Sequence, residues 1–267
     1  MNNSRPPAVA GLFYPSSPGE LSTGVRAMLD AARADDVDRP PKALIVPHAG
    51  YVYSGPVAAS GYARLASMAG RIRRVVLLGP VHRVPVRGLA LPQATGFSTP
   101  LGEVALDTAA MALLADMPQV TVSAAAHAQE HSLEVHLPFL QAVLGDFRLV
   151  PLAVGDATTE EVAEVLARVW GGEETLIVVS SDLSHFLSYD AAQRTDSETV
   201  RHILALSADL DHSAACGATP VNGLLAYAGR HALKAELLDL RNSGDTAGDR
   251  TRVVGYAAIA FYEADCR

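Results

Sequence analysis

Four short apolar runs constrain this chain more than any other feature: KALIVP (42–47), RRVVLLG (73–79), RLVPLAV (148–154) and TLIVVSS (175–181). Each is rich in Val, Ile and Leu, and none alternates apolar with polar residues. A strand covered on one face alternates, whereas one covered on both faces does not. A fifth run, VVGYAAIAFY (253–262), comes near the end of the chain. Between the runs lie stretches of helical pattern, over 18–32, 56–68, 108–115, 134–144, 158–170, 190–207 and 220–231. This order predicts an α/β fold: a central mixed, largely parallel sheet with helices on both faces. RGLALPQATGFSTPLGEVAL (87–106), punctuated by Gly and Pro, reads as a β excursion or hairpin, and RNSGDTAGDR (241–250) as a polar loop. No Pro-, Gly- or Ser-rich linker and no internal repeat divides the chain, so residues 1–267 read as a single layered domain.

Composition excludes several partners. The net charge is −8, and the densest basic stretch, Arg71, Arg73 and Arg74, is the polar lead-in to a strand. A phosphate backbone needs clustered Lys and Arg, so no nucleic-acid partner is expected. No apolar run approaches about 18 residues, which argues against a membrane partner. MNNSRPPAVAGLFYP lacks the charged-then-apolar order of a secretory signal. Cys216 and Cys266 make no disulfide framework, and the expected location is cytoplasmic. Only Lys42 and Lys234 are lysines. That bias towards arginine points to a GC-rich, bacterial genome.

Three strand-like runs end alike. LIVP leads to His48, VVLLGPV to His82, and TLIVVSSD to Asp182 with His185 three residues on. Ligands of open α/β sheets bind at the carboxyl ends of strands, so parallel neighbours would bring these side chains together. Neutral imidazole is a metal ligand and a general base near neutral pH. A lone histidine after a strand is more often structural; three placed alike point to a site. Gly50 and Gly55 flank the turn after His48 and let the backbone approach a ligand, and Gly79-Pro80 shapes the approach to His82. Cys216, in CGATPVNGLLAY (216–227), precedes a helix start with Thr219 as cap and Pro220 in the first turn. A helix N-terminus favours thiolate, although a single cysteine is more often inert. HAQEHSLEVHLPFLQ (127–141) reads equally as a network behind a site or a substrate contact and as a polar helix start ahead of a packed LPFL; no metal ligand is assigned there. His202, His212 and His231 read as surface or structural.

The blocks RPPAVAGLFYP, PHAGYVYSG, LGPVH, EHSLEVHLPFLQ, SSDLSHF and CGATP resemble, in order, the signature blocks of the Memo family. Its eukaryotic members are named as mediators of receptor-driven cell motility, and prokaryotic ones as AmmeMemoRadiSam system protein B. The resemblance runs from about Arg5 to the last strand. It implies a fold similar to class III non-haem iron extradiol dioxygenases of the LigB type. It also implies a metal pocket formed by His48, His82 and Cys216, with His185 at the place of the dioxygenases' catalytic base and Asp182 beside it. A cysteine where those dioxygenases carry a carboxylate is a departure, and a softer ligand.

Three functions follow as expectations. The first is a metal-dependent redox enzyme with one iron or copper ion, acting on a small molecule, in which His185 moves a proton and Asp182 sets its tautomer, with Tyr51 and Tyr53 at the mouth. The second is a non-catalytic scaffold that binds a peptide or metabolite in a vestigial pocket. The third is a zinc hydrolase. The system name further implies radical-SAM partner proteins.

Overall fold

A computed structural model describes residues 3–33 and 39–263; Cys266 lies outside them. Its strands are β1 (Ser4–Arg5), β2 (Ala43–Val46), β3 (Arg74–Pro80), β4 (Leu89–Leu91), β5 (Gly96–Thr99), β6 (Gly102–Ala105), β7 (Val120–Val122), β8 (Arg148–Val154), β9 (Thr175–Ser180), β10 (His185–Leu187), β11 (Lys234–Asn242) and β12 (Val253–Tyr262). Its helices are α1 (Pro18–Ala31), α2 (Tyr51–Tyr62), α3 (Thr108–Ala112), α4 (Ala124–Ala128), α5 (Leu137–Leu144), α6 (Thr159–Val169), α7 (Tyr189–Leu204), α8 (Ala218–Arg230) and α9 (Ser243–Thr246).

The four unalternating runs are β2, β3, β8 and β9. They form a parallel block in the order β2-β9-β3-β8. Antiparallel β12 joins at β2, and antiparallel β4, followed by β7, joins at β8. The sheet is therefore mixed with a parallel centre, as the residue pattern predicts. Alternate side chains of each central strand enter opposite layers. Leu44, Val46, Leu77 and Val178 pack with α1, α2 and α5. Ile45, Val76, Leu78, Ile177 and Val179 pack with α6, α7 and α8. Both faces are thus covered, which is why these strands carry no polar alternation.

Segment 87–106 holds two things. β4 belongs to the main sheet, while β5 and β6 form a hairpin whose outer partner is β1, in a second, three-stranded sheet. Four expectations are corrected. β11 was missed, because KAELLDLRN is charged and half-exposed at the sheet's edge, and α9 occupies part of the expected loop 241–250. The helix expected from Pro56 begins at Tyr51 with Pro56 inside it. Gly55 belongs to that helix and not to a turn: a Cβ there would lie 2.6 Å from Met28 Sδ, so glycine lets α1 and α2 close together. No helix among the described residues is long and apolar enough to cross a membrane.

Candidate metal centre

β9 lies between β2 and β3, and all three run the same way. His48, Asp182 and His82 each sit two residues past the end of their strand. Parallel order therefore delivers three functional side chains to one edge of the sheet. The rings of His48 and His82 are 5.2 Å apart between centroids.

A third imidazole arrives from outside the sheet. His131 lies in the turn between α4 and α5, 4.6 Å from the His82 ring and 5.5 Å from that of His48. Its neighbours stitch that turn to the strand ends. The Ser132 hydroxyl donates to the Pro80 carbonyl at 2.7 Å. The Glu130 carboxylate accepts the His82 backbone N–H at 2.6 Å. Ser180 Oγ donates to the Ser132 carbonyl at 2.6 Å. The approach is close enough that a Cβ on Gly79 would stand 2.8 Å from Ser132 Oγ. One ligand atom from each of His48, His82 and His131 lies within 4.8 Å of the others.

Hydrogen bonds set which nitrogen each imidazole presents. Nδ1 of His48 lies 2.6 Å from Ser180 Oγ, and Nε2 of His136 lies 2.8 Å from the same oxygen. The single hydroxyl proton is committed to Ser132, so both imidazoles donate to Ser180. His48 thus keeps its proton on Nδ1 and leaves Nε2 bare. His136 in turn accepts from the Tyr62 hydroxyl at 2.9 Å. Nδ1 of His82 donates to Glu130 Oε1 at 2.8 Å, which frees its Nε2. Burial alone would raise Glu130, but hydrogen bonds from His82 and the Ser132 backbone hold it down at about 2.

Burial, with the neighbouring imidazoles second, keeps His48 well below its ordinary pKa. Burial, with His82 second, brings His131 to about 4. Three close imidazoles with ring nitrogens to offer could hold a metal ion.

Cys216 stands beside the group. Its Sγ is 3.3 Å from His48 Nε2 and accepts the Asp182 backbone N–H at 3.3 Å. Its place before a helix start led to the expectation of a thiolate, and desolvation works against that. Burial, reinforced by Asp182, pushes the thiol up to about 12. The N-cap of α8 is Gly217, not Thr219.

Asp182 Oδ1 accepts the His48 backbone N–H at 2.8 Å. Burial raises this carboxyl to about 7. It does not fix the tautomer of His185, whose Nδ1 donates to the Leu183 carbonyl at 2.8 Å. His185 lines the cleft above the cluster, a space of about 510 Å³ bordered also by Phe13, Tyr53, Arg252 and Tyr256. Tyr51 does not reach it; that side chain is buried with its hydroxyl on the Val135 carbonyl at 2.6 Å.

The N-terminal block supports this cluster from behind. Arg5 bonds Glu134 Oε2 at 2.5 Å and the carbonyls of His127 and Glu130 at 2.6 Å each. Glu134 also accepts the backbone N–H groups of Ala8 and Val9 and the Tyr14 hydroxyl.

The model of the Memo-like protein family matches residues 5–260. The chain belongs to the Memo family. A MEMO1 family protein of Methanopyrus kandleri is 37% identical over 281 residues, covering 96% of this chain and 98% of that one. One of Aquifex aeolicus is 34% identical over 269 residues, with 96% and 98% covered. The Memo chain also resembles in fold an uncharacterized protein, JW3007, from Escherichia coli K12. The TM-score is 0.51 at 18% identity, covering 83% of this chain and 99% of that one. Full-length similarity to Memo relatives accords with the order of motifs along the sequence. Those motifs have now acquired physical roles: four supply ring donors or Asp182, and RPPAVAGLFYP packs behind them.

His131 was the residue that sequence reasoning missed. The available signal was density: His127, Glu130, His131, Glu134 and His136 crowd ten residues that lead into an apolar helix, and four of the five are fully buried.

Proposed function

We propose that this protein is a mononuclear metal enzyme of dioxygenase-like architecture that acts on a small organic molecule by redox chemistry. The observation that carries the reading is the group of three imidazoles, His48, His82 and His131, with their nitrogens oriented by Ser180 and Glu130 and opening into a cleft. Imidazole donors suit iron and copper as well as zinc. Cys216, against His48, would be a further donor: a bound cation would displace its proton, and a thiolate would add softness to the site. Iron or copper bound there would supply electron transfer to a ligand in the cleft.

The chain's own residues do the rest. His48, His82 and His131 hold position. His185, with its proton on Nδ1, presents Nε2 as an acid–base group on the cleft wall. Asp182, held near neutrality by burial, keeps the His48 backbone in place and is a second group able to take a proton. That same Asp182 favours one alternative, water activation on zinc for hydrolysis.

The test is metal titration of full-length protein purified without a polyhistidine tag, followed by assay. One equivalent of iron or copper is expected to bind, with loss in His82→Ala and His131→Ala and weakened binding in Cys216→Ser. Equal metal content in all four proteins sinks the centre. A colourless, zinc-loaded protein with esterase activity replaces redox chemistry by hydrolysis.

A further inference from the structure

The cleft has one cation at its mouth, and its placement is unusual. Arg252 is exposed, and its guanidinium lies over the ring of Phe186 at 4.9 Å. No carboxylate stands within ion-pairing distance of it among the described residues. Its neighbour Asp249 accepts the backbone N–H and hydroxyl of Thr251 at 2.6 Å each and the Arg252 backbone N–H, and makes no ion pair with the guanidinium. Phe186 is unusual as well. It has a φ of 61°, a left-handed conformation that a bulky residue adopts only at a cost in backbone energy, and the residue is 61% exposed. Strain and apolar exposure at one residue together make a plate that supports a guanidinium. Stacking limits the rotamers of Arg252, so less freedom is lost when its N–H fork engages a ligand. Phe186 also links the cation to the site, since its ring is 5.7 Å from that of His185.

We propose that Arg252 is a carboxylate-binding residue and that the ligand of this cleft is a small aromatic acid. A lone guanidinium offers a bidentate match to one carboxylate. A phosphate dianion would call for further cations, whereas the other charged side chains on the wall are the carboxylates Asp182 and Asp249. The remaining surface is ring-rich, with Phe13, Tyr53 and Tyr256 beside the imidazoles. The volume of about 510 Å³ suits a molecule of one or two rings. The charged end sits at the rim on Arg252, and the body points down towards the histidines. Only that last direction rests on the metal-centre reading.

The experiment compares benzoate, benzamide and phenylphosphonate by calorimetry and ligand-observed NMR. It uses full-length wild type, Arg252→Ala and Arg252→Lys, each before and after chelator treatment and with metal content measured. Wild type is expected to prefer benzoate over benzamide by about tenfold, the size of a charge-assisted pair. Arg252→Ala loses that preference while its metal content is unchanged, and Arg252→Lys keeps part of it. Equal binding of benzoate and benzamide by wild type, no binding of either at millimolar concentration, or an undiminished preference in Arg252→Ala overturns the proposal. Phenylphosphonate binding far above benzoate overturns the carboxylate assignment. A charge preference that persists in protein unable to bind metal leaves the anion site standing and removes the metal centre alone.

Discussion

The Ser180 hydroxyl sits between two buried imidazoles, 2.6 Å from Nδ1 of His48 and 2.8 Å from Nε2 of His136. One serine therefore decides which nitrogen His48 turns to the cleft. In Ser180→Ala the proton on His48 is free to move to the other nitrogen. Metal affinity is expected to fall about 10- to 100-fold, as for the loss of partners that orient ligands. Competition with a chromophoric chelator measures it, with near-UV circular dichroism as the fold control. Wild-type affinity in this variant contradicts the assignment.

Glu130 has the matching role for His82 and also accepts backbone N–H groups of His82, His131 and Ser132. Glu130→Gln retains size but loses charge. Urea unfolding of metal-free protein should show a loss of about 1.5–3 kcal/mol, the range for hydrogen bonds to a charged group. Metal affinity should drop with it.

Arg5 and Glu134 form an ion pair removed from water. Arg5→Met leaves a buried carboxylate with its cation gone. A loss of about 3 kcal/mol is expected, the lower end for breaking such a pair, because Ala8, Val9 and Tyr14 still donate to Glu134. A loss below 1 kcal/mol, on the order of a surface pair, would contradict this account.

Gly217 precedes α8 with no room for a side chain: a Cβ would lie 2.6 Å from the Ser180 carbonyl oxygen. Gly217→Ala should therefore lift the Cys216 segment from β9, at about 1–3 kcal/mol in stability. Thiol-reagent kinetics provide the readout, since Cys216 is half-buried in the native protein and should label faster in the variant.

Burial holds His127 down to about 4 and His136 to about 3. Both are neutral in the folded state, while the unfolded chain takes up protons below about pH 6.5. The unfolded state then binds more protons, so stability falls as pH drops from 6.5 towards 4 and levels off below the folded values. Between pH 6.5 and 5 each imidazole costs at most about 2 kcal/mol. Urea titrations of chelator-treated protein at the two pH values should show the decline; flat stability across this range would refute it.

The centre of the sheet was legible because burial on both faces leaves a signature that one residue type cannot imitate. The convergence of His48, His82 and Asp182 was legible for the same reason: parallel neighbours share an end. His131 was not, since its place depends on a turn stitched to β3 and β9 by hydroxyls, and spacing carries no record of such bonds. β11 escaped because a half-exposed edge strand looks like a polar connection. The thiol of Cys216 was misjudged because helix position was visible in the sequence and desolvation was not.

The Arg5 latch has a practical side. Phe13 rests on the His131 ring at 4.8 Å, and its carbonyl accepts the Tyr51 N–H where α2 begins. A protease nick or a bulky tag near Arg5 would thus act on the histidine cluster from the rear. Preparations that differ only in how they begin would then differ in metal loading, and one trimmed by about a dozen residues would behave as a mutant of the histidine cluster.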